Sequence, residues 1–282
     1  MALGYYDLAI QAKAPYKDMA VTRFFDLLFK KFVKYWGHYL YIVAKKRDHE
    51  LDYQESFELF LSHTDEKRVI KEVLEQKVDM HAVKSCLDIG GGNGFLTQSL
   101  GDKDKILVVE PNKNFVETLR EKGFRCICAK WENVNLEERF DLILGAYVST
   151  YFPKNRLKEM IIKMKHHLSS DGRLVLLAID EREGSWREAH TYFYDLIELK
   201  RRSSTAKLKR IMSDLDVQGE KIITKVYADS ADQMLQILAF DFCKYGNQFE
   251  QNKNKLREYL QQFQKGDKIE LEMVHWMFIT KK

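Results

Sequence analysis

Ser85-Cys86-Leu87-Asp88-Ile89-Gly90-Gly91-Gly92-Asn93-Gly94 reads as a short, mostly apolar run that opens into a loop rich in glycine. The residues that follow, Phe95–Leu100, have helical spacing, so the stretch predicts strand, tight loop and helix in that order. Glycine at such a corner lets the backbone turn sharply and lets a ligand approach where a Cβ would clash. A dinucleotide fingerprint needs a further small residue for helix–strand packing. Counted from Gly90 that place holds Phe95, and counted from Gly92 it holds Thr97. The pattern that is complete is Asp-x-Gly-x-Gly-x-Gly, at Asp88, Gly90, Gly92 and Gly94.

Outward from the loop, short apolar runs alternate with amphipathic segments. The runs are Ser85–Ile89, Ile106–Val109, Arg125–Cys128, Phe140–Leu144 and Arg173–Ile179, and the segments Phe95–Leu100, Asn112–Lys122 and Lys154–Leu168 read as helices. This alternation implies an α/β fold with a parallel sheet. Two later strands are expected at Lys221–Tyr227 and Lys268–Thr280, after a helical insertion at about 181–216, with another helical region around 231–263. Glu110 closes the second run about twenty residues beyond the glycines, where a carboxylate can accept both ribose hydroxyls of an adenosine. Trp131 follows the third run and is either a stacking surface for a base or a core tryptophan.

The chain has 282 residues and a net charge of +4. Its basic excess sits in the first 50 residues, and the remainder is neutral, which argues against nucleic acid as a partner. Residues 1–49 form a separate N-terminal extension and residues 50–282 the main domain. Within the extension, residues 22–44 place Phe25, Phe29, Phe32 and Trp36 at helical spacing beside Lys30, Lys31 and Lys34. The favoured reading is a helix that covers the main domain, and the lesser one a helix on a membrane surface or in a dimer. The segment is too charged to span a bilayer. Helical spacing also covers about 53–78. The four cysteines, Cys86, Cys126, Cys128 and Cys243, have no zinc-finger spacing, and no metal site is indicated. Thiols of this kind point to a reducing, cytoplasmic setting.

The complete glycine pattern resembles motif I of S-adenosylmethionine (SAM)-dependent methyltransferases. That resemblance implies a Rossmann-like class I fold, with a seven-stranded, mostly parallel sheet whose last strand, Met273–Thr280, runs antiparallel. It implies SAM as cofactor, held by the loop and Glu110. The segment Gly145-Ala146-Tyr147-Val148-Ser149-Thr150-Tyr151 would face the methyl group, and Ser169-Ser170-Asp171-Gly172 would be the turn before strand five.

Tyr53–Glu66, with sequence YQESFELFLSHTDE, resembles one family more closely, the histamine N-methyltransferases. Val109-Glu110-Pro111, Gly184-Ser185-Trp186 and Phe240-Asp241-Phe242 continue the match over roughly residues 50–282. Position by position, the resemblance implies that Gly90, Glu110 and Ala146 contact SAM and that Glu66 binds the substrate. Tyr53, Phe57, Tyr151, Trp186 and Phe242 would line an aromatic pocket around a small amine. Tyr147 stands where the family has a substrate-binding glutamine, and Glu272 where it has an asparagine. The candidate catalytic residues are therefore Glu66 and Tyr147, and Glu272 is expected to bring a second carboxylate to the pocket. A plainer reading of Glu66 is that it caps a helix behind Thr64 and Asp65.

Overall fold

A computed structural model describes residues 55–153, 155–199 and 205–281. Tyr53, the extension 1–49 and the run Lys200-Arg201-Arg202 lie outside the described residues. Among those described, 55–59 and 236–250 cluster as one compact unit, and 60–235 with 251–281 as a second, larger one.

The larger unit is built on one mixed sheet. Its strands are β1 (Cys86–Ile89), β2 (Ile106–Val109), β3 (Arg125–Ile127), β4 (Phe140–Ala146), β5 (Leu168–Ile179), β6 (Gly219–Ala228), the two-residue β7 (Gln264–Lys265) and β8 (Lys268–Lys281). The order across the sheet is β3-β2-β1-β4-β5-β8-β6, with β7 paired to β8. Strands β1 to β5 are parallel, and β8 runs antiparallel to both β5 and β6. This is the α/β sheet that the alternation predicts, in the Rossmann-like arrangement that the motif I resemblance implies.

Side chains of β1 and β2 are buried along their whole length, as a parallel sheet covered on both faces requires. Alternate residues sort into two cores. Leu87, Ile89, Leu107, Val109, Ile143 and Leu176 face one way, and Cys86, Val108, Leu142, Leu144, Val175 and Leu177 the other. The first core is closed by α3 (Leu157–His166), whose Leu157, Met160, Ile161 and Met164 repeat at helical spacing, and by α5 (Thr205–Asp214). The second is closed by α1 (Glu66–Lys77) through Ile70 and Leu74, and by α2 (Lys113–Glu121) through Leu119. Asn112 caps α2 by accepting a hydrogen bond from the Asn114 N–H. Helix α4 (Ser185–Leu196) follows β5, and α6 (Ala231–Phe242) and α7 (Gly246–Leu260) lie between β6 and β8.

Three local expectations change. Phe95–Leu100 forms only a 3-10 turn at Thr97–Ser99, because glycines at positive φ, Gly94 and Gly101, bracket too few residues for a longer helix. The helical spacing over 53–78 is two helices, residues 55–62 and α1, since the chain at 63–65 is pinned to the edge strand β6. There Thr64 bridges Val226, the Asp65 carboxylate accepts the Lys225 N–H at 2.6 Å, and the Tyr227 N–H donates to the His63 carbonyl. Ser169–Gly172 is a bulge inside β5, where pairing to β4 jumps from Leu168 to Arg173.

Candidate active site

Gly90, Gly92 and Gly94 all have positive φ, but for different reasons. A Cβ on Gly90 would stand 2.3 Å from Val148 Cγ1, so the loop lies directly against the turn after β4. Gly92 has nothing within 4 Å of where a Cβ would project. Among the described residues no neighbour requires its bareness, and they leave the space over it open to a ligand.

Asp88 is buried beneath the loop and accepts the Thr97 hydroxyl at 2.6 Å, which ties β1 to the turn beyond the glycines. Burial pushes its carboxyl up to about 6, the Thr97 bond opposes this, and the charge of Glu110 adds to it. Glu110 follows β2. Its Oε2 accepts the Gly92 N–H at 3.0 Å and its Oε1 the Asn112 N–H at 2.8 Å. A carboxylate has about four lone-pair sites, so each oxygen keeps one for a ribose hydroxyl while the backbone fixes the group's plane.

Ala146 ends β4, and Tyr147 follows it with φ of 60°, a left-handed conformation that costs a side-chain-bearing residue roughly 1–2 kcal/mol. Surrounding bonds hold it there. Its N–H donates to the Leu177 carbonyl at 2.9 Å. Its hydroxyl is 3.0 Å from His275 Nδ1, and the Glu66 carboxylate lies close enough to act on the phenol electrostatically. Glu66 opens α1, is 5% exposed, and stands 3.9 Å from His275 Nδ1. Its backbone N–H is taken by the Thr64 hydroxyl at 3.1 Å, so the capping is done by Thr64 and the Glu66 side chain turns inward. Burial pushes the Glu66 carboxyl up, and the Tyr147 hydroxyl opposes that. His275 Nε2 is 2.7 Å from the Thr224 hydroxyl, and burial holds this imidazole down at about 4.

His275 and Thr224 escape a reading of the sequence. The available signal is a single titratable side chain inside the apolar strand Met273-Val274-His275-Trp276-Met277-Phe278.

Other expected site residues lie elsewhere. Trp131 is 2% exposed, donates its indole N–H to the Met160 carbonyl at 3.3 Å, and meets His167 edge-on, so it is a core residue with no face left for a base. Tyr151 is 86% exposed and lines no enclosed pocket. Glu272 is three residues from His275 on β8, so strand alternation puts it on the opposite face, paired with Lys265 at 3.7 Å. It brings no second carboxylate to Glu66. Trp186 is buried against Phe60 and His190. Within the smaller unit, Phe57 packs edge-on against Phe240, and Phe242 packs near Phe249.

Residues 86–172, from β1 to the bulge in β5, match the model of the methyltransferase domain. This stretch is similar to a methyltransferase domain. S-adenosylmethionine is the cofactor of this domain, and the open space at Gly92 beside the fixed Glu110 carboxylate fits an adenosine. No curated protein matches the sequence significantly. Among solved structures, the YcgJ protein from Bacillus subtilis is 18% identical over 75% of this chain and 98% of its own, with a TM-score of 0.48. The N-methyltransferase NodS from Bradyrhizobium japonicum is 14% identical over 77% and 99%, with a TM-score of 0.43. Magnesium protoporphyrin IX methyltransferase from Synechocystis, solved with bound SAM, is 13% identical over 56% and 72%, with a TM-score of 0.40. These likenesses are distant. Among the described residues, no helix is long and apolar enough to cross a membrane.

Proposed function

We propose that this chain methylates the nitrogen of a small cationic amine, as histamine N-methyltransferase-like enzymes do, with Glu66 holding the substrate's charge. The observation that supports this reading is the position of Glu66: a buried carboxylate near Tyr147, the residue after the strand whose turn touches the glycine loop. A lone anion in such surroundings is costly, and a substrate cation beside it removes that cost. The site therefore selects for positive charge.

Burial pushes the Glu66 carboxyl up, and the nearby Tyr147 hydroxyl and Lys67 ammonium oppose it. His275, held near 4, is neutral at pH 7 and has one N–H. When Tyr147 donates its proton to Glu66, the phenol oxygen accepts from His275 Nδ1–H, and Nε2 accepts from the Thr224 hydroxyl. Every donor in this chain then points toward the carboxylate, and such bonds polarise one another. Burial and the charge of Glu66 push the Tyr147 phenol well above its ordinary range, so Tyr147 stays a donor and orients Glu66.

SAM supplies the methyl group as an electrophilic sulfonium. The chain's own side chains hold the amine nitrogen in line and exclude water, and Glu66 can receive the proton that the nitrogen must lose. We place the protein in the cytoplasm on the ground that all four of its cysteines are free thiols.

The test is methyl transfer from labelled SAM to a panel of small amines, with products identified by mass. Glu66→Gln keeps size and hydrogen bonding but removes the charge. It should raise KM for an accepted amine about 10- to 100-fold, the weight of a charged hydrogen bond, while SAM affinity stays near that of the parent. Equal kinetics for Glu66→Gln and parent on every accepted amine would sink the proposal.

A further inference from the structure

We infer that Lys67 binds the carboxylate of the amino-acid end of S-adenosylmethionine, with Lys122 adding its charge from across the glycine loop. The inference rests on the cofactor assignment above and concerns a part of the cofactor that Glu110 and Gly92 do not reach.

Lys67 lies in the first turn of α1, and its ammonium stands 3.4 Å from the centroid of the Phe95 ring. Phe95 directly follows Gly94. Lys122, just past α2, donates from Nζ to the Asn93 carbonyl at 2.7 Å. Two ammonium groups from different helices thus converge on three consecutive residues at the end of the loop, and they repel one another. Glu66, the neighbour of Lys67, directs its carboxylate to Tyr147 and His275. The described ion pairs of α1 are made by Arg68, Lys71, Lys77 and Glu66, and Lys67 takes part in none of them. Its ammonium is held down to about 8, first by desolvation and then by Lys122, with Glu66 opposing. A half-buried cation over an aromatic ring, with a second cation beside it and no carboxylate in contact, is an arrangement that an incoming anion stabilises.

The chemistry of the cofactor supplies that anion. SAM has one carboxylate, at the end opposite its adenosine. With the ribose at Glu110 and the sulfonium toward Ala146 and Tyr147, the amino-acid tail must cross the loop. Residues 88–94 have no basic side chain to receive it. Lys67 adjoins Glu66, and Glu66 stands 3.9 Å from the His275 Nδ1 that Tyr147 meets, so Lys67 stands on the side of the loop that the tail reaches.

The experiment compares two nucleosides on the full chain by calorimetry. S-Adenosylhomocysteine has the amino-acid tail, and 5′-methylthioadenosine lacks it. Lys67→Met should raise the Kd for S-adenosylhomocysteine about 10- to 100-fold, as loss of a charged hydrogen bond does, and change that for methylthioadenosine less than about twofold. Lys67→Arg, which keeps the charge, should recover most of the loss. Retained methylthioadenosine binding also shows that the variant is folded. Equal losses for both nucleosides, or no loss for either, would overturn the role of Lys67 alone. A parent protein that bound neither nucleoside would overturn the cofactor assignment, and this inference with it.

Discussion

Gly90 and Gly92 stand two residues apart in one loop, and alanine should damage each in a different way. At Gly92 the backbone is close to the ideal left-handed well, with φ of 53°, and an added methyl meets nothing within 4 Å. The cost in the ligand-free protein is then the left-handed conformation itself, about 1–2 kcal/mol, or a fall in Tm of roughly 2–8 °C for a domain of this size. At Gly90 the same conformational cost is joined by a contact of 2.3 Å to Val148 Cγ1, in a residue that is itself buried. Overpacking of that kind adds about 1–3 kcal/mol. Gly90→Ala should therefore be clearly the less stable variant without ligand. With S-adenosylhomocysteine at about a hundred times its Kd, the parent should gain about 2.7 kcal/mol, or roughly 5–10 °C in Tm. Gly92→Ala should gain almost nothing, because its methyl occupies the space left for the cofactor. Thermal denaturation of the three proteins with and without ligand checks all of this. A Gly92→Ala protein that kept the parent's ligand shift, or that lost as much stability as Gly90→Ala, would refute the division of roles.

Glu110→Gln should weaken S-adenosylhomocysteine binding by about 1–3 kcal/mol, measured by calorimetry, because one amide oxygen cannot replace two carboxylate oxygens facing the Gly92 and Asn112 N–H groups. Unchanged affinity would count against the ribose role. Asp88, raised from 3.8 to about 6, contributes stability that is full below its unfolded value and is lost as pH rises through 6. Asp88→Asn, whose amide oxygen can still accept from Thr97, should therefore gain on the parent by up to about 3 kcal/mol between pH 4 and 7 in urea denaturation, and a flat difference would exclude this. His275, lowered from 6.5 to about 4, has the opposite sign: stability is lost as pH falls from 6.5 toward 4, and His275→Asn should flatten that limb of the curve.

The strand, the glycine loop and the acid after β2 were legible because they are built from neighbouring residues. Asp88, the glycines and Glu110 occupy two adjacent strand ends, and β1 and β2 are apolar throughout, so strand, loop and acid could be placed from spacing alone. Where a reading depended on which way a side chain turns, spacing was insufficient. Trp131 looks the same in sequence whether it meets a base or a core. A carbonyl 29 residues later, at Met160, puts it in the core. Glu272 and His275 lie on one strand, and only its register against β5 and β6 shows which of them faces α1.

The polar cluster proposed to meet the substrate is assembled from four distant elements: Glu66 on α1, Tyr147 after β4, Thr224 on β6 and His275 on β8. Tyr147 and His275 are 128 residues apart, and Thr224 and His275 are 51 apart. No local pattern marks such a chain of hydrogen bonds, and its parts look ordinary one by one. Its direction nevertheless follows from two facts, the neutral imidazole of His275 and the acceptor-only nature of an ionised carboxylate. Given those, each proton has one place to go, and the buried end of the chain is the carboxylate of Glu66. Burial makes an anionic Glu66 costly, and the charge of Lys67 beside it offsets only part of that cost. The preference for a cationic amine belongs to the proposed function, and the burial of Glu66 is the observation that supports it.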